Sequence, residues 1–135
     1  MEKSFNLEII SPIRTLFKGD VNSVIIPGTL GSFQVLKNHA PLVSSFEIGM
    51  IKIQRDAEIL EYSTSGGIFE VKNNKAIILA ETIESKEEID LSRAQNSKSR
   101  AEQILKMGDV RDDKKSEAKV SLQKAINRIK VAEKK

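Results

Sequence analysis

The chain has 135 residues, 30% charged and 39% hydrophobic but only 4% aromatic, which bounds it to one domain or one small domain with an appendage around a modest aliphatic core. It holds no cysteine and one histidine, His39, so disulfides, thiolate or His-cluster metal sites and cysteine nucleophiles are excluded, and neither a catalytic set nor a metal site is read. The net charge of +3 is unevenly spread: positions 1–84 carry 8 Lys+Arg against 10 Asp+Glu (−2), and positions 85–135 carry 14 against 9 (+5), so a basic tail on a slightly acidic body points to an acidic partner surface.

In chain order, Met1–Asn6 has no apolar run of the kind a secretory signal needs. Phe5, Leu7 and Ile9 alternate with polar residues, predicting a strand that stops at Ser11-Pro12. Val21–Ile26 is rich in β-branched residues and ends at Pro27-Gly28; Phe33–Leu36 is a further strand before a Lys37-Asn38 turn. Met50–Gln54 and Glu58–Ser63 read as a hairpin around Arg55-Asp56-Ala57. Gly66-Gly67 opens a strand over Ile68–Lys72, and Asn73-Asn74, a pair that tolerates positive φ, turns into Lys75–Ala80. Turn signals this regular predict a β-sandwich or barrel. The apolar runs are far shorter than the roughly 20 residues of a spanning helix, so no direct membrane insertion is expected.

Past Ser85 the composition changes: every proline, every aromatic residue and all glycines but Gly108 lie before it. Leu91, Ala94, Ala101, Ile104 and Leu105 form one helical stripe, and Ala118, Leu122, Ala125, Ile129 and Ala132 a second, with Gly108-Asp109 between. The reading is an α+β chain: an antiparallel β-sandwich over 1–84 and an antiparallel two-helix hairpin over 85–135, with Lys134-Lys135 frayed. Seams so rich in alanine bury little side chain, so the hairpin is expected to be marginal alone and able to detach.

Individual residues read in two ways. His39 is either a partner-facing, pH-sensing group or a turn histidine satisfied by backbone. The glycines match no phosphate-cradling pattern and read as turn and bulge positions. Asp90, or alternatively Ser85-x-x-Glu88, caps the first helix. Arg93 and Arg100 lie seven apart on one helix, and Lys124 and Arg128 four apart on the other; they are either solvated helix charges or cations that converge on a polyphosphate. With no stacking aromatic and acids throughout the hairpin, nucleic acid is not expected as a partner.

Several segments together carry a resemblance. Leu7-x-Ile9-x-Ser11-Pro12, then Phe17-x-Gly19-x-Val21-x-x-Val24-x-x-Pro27-Gly28-x-x-Gly31, then His39-Ala40-Pro41-Leu42 occur in this order. Gly66-Gly67-Ile68-x-Glu70-Val71, Ile78-Leu79-Ala80 and Ile89-Asp90-Leu91-Ser92-Arg93-Ala94 follow. The set resembles the epsilon subunits of F-type, proton-translocating ATP synthases over nearly the whole chain. The family usually has Gly-Glu-Leu/Phe-Gly where this chain has Gly31-Ser32-Phe33-Gln34, and Pro-Gly where it has Lys37-Asn38.

The resemblance implies a non-catalytic central-stalk subunit. Its sandwich would bind the gamma subunit and the c-ring, with Ser32 and His39 as partner-contact positions, Ser32 lacking the carboxylate of relatives. Its hairpin would extend into the alpha/beta catalytic head and block ATP hydrolysis. The resemblance also implies a regulatory ATP and no required cofactor, with Glu84, Asp90, Arg93, Arg100 and Arg128 as the nucleotide-binding positions and Lys124 where some relatives have Arg. It places the chain peripherally on the cytoplasmic face of a bacterial inner membrane, or on the matrix or stromal side in an organelle. A free-standing nucleotide sensor and a plain sandwich–coil scaffold are the competing classes.

Overall fold

The computed structural model describes residues 3–134, so Lys135 of the expected frayed end lies outside the described residues. The strands are β1 (Phe5–Ile10), β2 (Thr15–Val21), β3 (Ser23–Ile26), β4 (Phe33–Val35), β5 (Leu42–Arg55), β6 (Glu58–Lys72) and β7 (Lys75–Ser85). A 3-10 turn (Lys86–Glu88) and the helices α1 (Leu91–Lys106) and α2 (Asp112–Glu133) follow. The chain divides into two compact units between Ser85 and Lys86.

The strands run in the order β2-β1-β7-β6-β5-β3-β4, and each ladder is antiparallel except β1 with β7, which pair in parallel from Asn6↔Lys75 to Ile10↔Leu79. This sheet folds over into a sandwich. Phe33 of β4 meets Phe69 of β6 edge-to-face at 5.7 Å although β5 and β3 separate them in the sheet. Phe5, Leu7, Ile9, Val24, Ile53 and Ile78, from four strands, share one buried apolar core.

The fold departs from the pattern-based expectations at two places. The residues 21–26 expected as one strand are split at Asn22, and β2 begins earlier, at Thr15. Val21 pairs with Phe5, whereas Ser23 pairs with Gln54, so the chain changes partner at Asn22. Asn22 holds that crossing: its backbone N–H donates to Gln54 O (2.8 Å), its Nδ2 to Lys3 O (2.9 Å), and its Oδ1 accepts from Asp56 N–H (2.6 Å). β2 is an edge strand with Lys18 and Asp20 exposed, which is why its alternation was faint.

Second, the central strands are far longer than their local patterns, 14 residues in β5 and 15 in β6. Gly66-Gly67 does not open a strand but sits inside β6, where the register with β7 shifts between Thr64 and Gly67. Gly66 has φ 123°, and a Cβ on Gly67 would stand 2.0 Å from Leu79 O. The bulge bends β6 without ending the ladder. Thr64 Oγ1 serves it, accepting from Gly66 N–H (3.2 Å) and donating to Thr82 O (2.9 Å). The turns behave as their residues require: Asp56, Asn73 and Asn74 have φ of 54°, 51° and 61°.

Gly108-Asp109 falls in the turn between the helices, as expected, with Gly108 outside the left-handed region. α1 stops at an extended C-cap, Met107 (φ −72°, ψ 129°), whose N–H donates to Ile104 O. The N-cap is Asp90, whose Oδ1 accepts from Arg93 N–H at 3.0 Å. α2 has Asp112 and Asp113 in its first turn, where carboxylates favour the helix dipole. Five residues, 107–111, join the helices, and a loop that short turns them antiparallel. The buried positions are Ala94 and Ala101 on α1 and Ala118, Ala125 and Val131 on α2, while Leu122, Ile129 and Ala132 of the expected seam are only half-buried. The longer α2 outruns α1 and packs against the 3-10 turn.

Candidate functional site

The hairpin's chemistry follows from its seam. Ala94 and Ala101 are seven residues apart, as are Ala118 and Ala125. In an antiparallel pair joined by the short turn 107–111 this equal spacing allows Ala101 to lie level with Ala118 and Ala94 with Ala125, two layers of small side chains about 10 Å apart along the axis. Arg93 and Arg100 each precede a buried alanine, lie about 100° around α1 from it, and are exposed. Arg128 follows Ala125 by three residues and is half-buried beside the seam.

By the same register Asp90, Arg93 and Arg128 fall within about a turn and a half of each other at the open end of the hairpin, and Arg100 lies two turns nearer the loop. The Asp90 carboxylate is engaged as the cap of α1. Glu84, the remaining nucleotide-binding candidate, stands on β7 in the other unit. Lys124 is exposed one residue before Ala125. Among the described residues no group of His, Cys, Asp and Glu is arranged to hold a metal ion.

Ser32 is exposed at the end of the β3–β4 turn, next to a fully exposed Leu30. Thr29 anchors that turn, its N–H donating to Ser45 O (3.2 Å) and its hydroxyl meeting Ser45 Oγ (2.8 Å). Gln34 lies within β4, paired with Ile25. Asn38 has φ 61°, a left-handed residue standing where the resembled family has glycine. His39 is half-buried, and its Nδ1 lies 2.6 Å from Ala40 O.

The sequence reading missed a surface on the outer face of the sheet. Ile68 and Leu79 are directly opposed across β6 and β7, and both are exposed; Ile77 pairs with Glu70, which pairs in turn with Val43. Val43, Ile68, Ile77 and Leu79 thus share an apolar face that Glu70 interrupts and Glu8 borders. A clean one-sided strand would have polar residues there. The signal was available in the unbroken run Ile77-Ile78-Leu79, which supplies apolar groups to both faces. No helix among the described residues is long and apolar enough to cross a membrane.

Residues 4–86 match the family model described as the beta-sandwich domain of the ATP synthase Delta/Epsilon chain, and residues 87–133 match its long alpha-helix domain. The ATP synthase epsilon chain of Desulforamulus reducens is 38% identical over 133 residues, covering 98% of this chain and 100% of that relative. That of Desulfitobacterium hafniense is 39% identical over 132 residues, 98% of both chains. Among solved structures, a chain of the Euglena gracilis mitochondrial ATP synthase OSCP/F1/c-ring assembly superposes with a TM-score of 0.79 at 18% identity, over 89% of this chain and 76% of that one. A chain of the Tetrahymena thermophila mitochondrial ATP synthase central stalk/c-ring gives 0.64 at 16% identity, over 94% and 95%. With both domains matched in order and relatives aligned end to end, the chain belongs to the delta/epsilon chain family of ATP synthase subunits.

Proposed function

We propose that this chain is the non-catalytic epsilon-type subunit of the central stalk of an F-type ATP synthase, held peripherally at the membrane through the complex, on the cytoplasmic side in a bacterium. The sandwich seats on the gamma subunit and the c-ring, coupling proton-driven rotation to the alpha/beta head. The apolar face of Val43, Ile68, Ile77 and Leu79 is the part of the sandwich fitted to a permanent partner, and the Ser32 and His39 loops supply polar contacts. The end-to-end match to epsilon chains is the observation that carries this reading.

The hairpin is the regulatory element. Its alanine seam gives the closed state little side-chain burial to lose, and its net +5 favours an extended state against an acidic surface of the head, blocking ATP hydrolysis. That attraction weakens as salt rises. ATP held by Asp90, Arg93, Arg100 and Arg128 opposes extension; a ligand bound only to the closed state at 100 times its dissociation constant stabilises it by about 2.7 kcal/mol.

Two measurements test this. The chain co-purifies with gamma and the catalytic head, and Leu79→Asp weakens that association. Truncation after Ser85, which keeps the whole of β7, raises ATP hydrolysis by the assembled enzyme; unchanged hydrolysis rejects an inhibitory hairpin.

A further inference from the structure

At one end of the sandwich a single side chain, Asn74, ties together segments that carry four of the body's eight cations. Asn74 Nδ2 donates to Ser4 O (3.0 Å), its Oδ1 accepts from Asn38 N–H (2.8 Å), and its carbonyl accepts from Asn6 N–H (3.2 Å). These bonds draw together the segments that carry Lys3, Lys37 and Lys75. Lys72 pairs directly with Lys75 across the tight turn. Like charges directly opposed across two strands destabilise the pair, and an anion would relieve them. This concentration stands on a body whose net charge is −2, so it is local rather than a general basic character.

Beside this cluster lies an open cavity of about 620 Å³, lined by Lys3, Asn22, Gln34, Leu36, Lys37, Asn38 and Gln54. Its size is that of a small-molecule site. Among the described residues none that lines it is acidic. Asp56 stands near, with its backbone N–H on Asn22 Oδ1. With the Asn22 amide engaged by Lys3 O and Asp56 N–H, two lysines and the three amide residues Gln34, Asn38 and Gln54 suit an anion rich in acceptor oxygens, and the exposed Leu36 suits an apolar part of the same ligand.

We propose that this cavity binds a phosphate-bearing anion. The site lies wholly within the sandwich and does not depend on the arginines of the hairpin. Two sources supply the chemistry, a soluble polyphosphate and an anionic lipid headgroup, and the experiment separates them.

The isotope-labelled full chain is titrated at low salt with inorganic tripolyphosphate and, separately, with phosphatidylglycerol vesicles. The expected result is saturable amide shifts at Lys3, Asn22, Gln34, Lys37 and Asn38 with tripolyphosphate. Binding should weaken about tenfold or more in the Lys3→Gln/Lys37→Gln double variant, which loses two charge-assisted contacts. The Arg93→Gln/Arg128→Gln variant should leave those shifts unchanged. Vesicle binding without tripolyphosphate shifts, lost in the same lysine variant, assigns the phosphate to a headgroup and upholds the site. Shifts confined to the hairpin, equal binding by the lysine variant, or the same response to sulfate at matched ionic strength overturns it.

Discussion

The guanidinium of Arg55 lies over the ring of Phe17, 5.5 Å from its centroid, and so ties the β5–β6 hairpin to the opposite edge strand of the same sheet. Arg55 also donates from Nη2 to Glu58 Oε1 at 2.6 Å across the two-residue turn. The ion pair is exposed and contributes little, whereas the ring contact helps close the sandwich. Arg55→Met should lower stability by about 0.5–1 kcal/mol. A urea-unfolding double-mutant cycle with Phe17→Leu checks this: coupling near zero would show that the contact is incidental.

Gly67 and Gly108 predict opposite outcomes for one substitution. A Cβ at Gly67 meets Leu79 O at 2.0 Å and Ala80 Cα at 2.9 Å, all backbone that cannot swing aside. Gly67→Ala should therefore cost about 3 kcal/mol or more, at or beyond the upper end of ordinary overpacking. At Gly108 nothing lies within 4 Å and φ is not positive, so Gly108→Ala should be neutral or stabilise by up to about 1 kcal/mol. Denaturation midpoints of the two variants decide between these signs.

Asn73 and Asn74 share a positive φ but not a role. Asn74 bonds to Ser4 and Asn38, while the turn geometry at either position suits glycine equally well. Asn73→Gly should change stability by less than about 0.5 kcal/mol, whereas Asn74→Gly should lose about 1–2 kcal/mol with its two hydrogen bonds. Hydrogen exchange at Asn38 N–H offers a local readout: it should quicken in the Asn74 variant alone.

The alanine layers of the hairpin leave no room for a larger side chain. Ala101→Leu inserts three heavy atoms where Ala101 and Ala118 are both buried, and should destabilise the closed hairpin by about 1–3 kcal/mol. The sandwich melt should not move. Under the proposed switch the same variant inhibits ATP hydrolysis more strongly, and a hydrolysis assay of the assembled enzyme checks the direction.

The sequence by itself determined what depends on neighbouring residues. The absence of proline and aromatic residues past Ser85 marked the helical unit, the spacing of Ala94, Ala101, Ala118 and Ala125 marked its seam, and Asn73-Asn74 marked the tight turn. Asp90 was legible as a cap because its carboxylate serves an N–H only three residues away.

The tertiary structure alone decided which distant segments meet. Gly66-Gly67 carries the same local signal whether it ends a strand or bulges within one, and only the approach of Leu79 on β7 shows that β6 continues. The parallel β1–β7 ladder, the apolar face of Ile68 and Leu79, and the lysines gathered about Asn74 likewise join residues far apart in the chain. Local periodicity states which side of an element is buried, but not what covers it, because a strand's partner is set by the packing of the whole sheet.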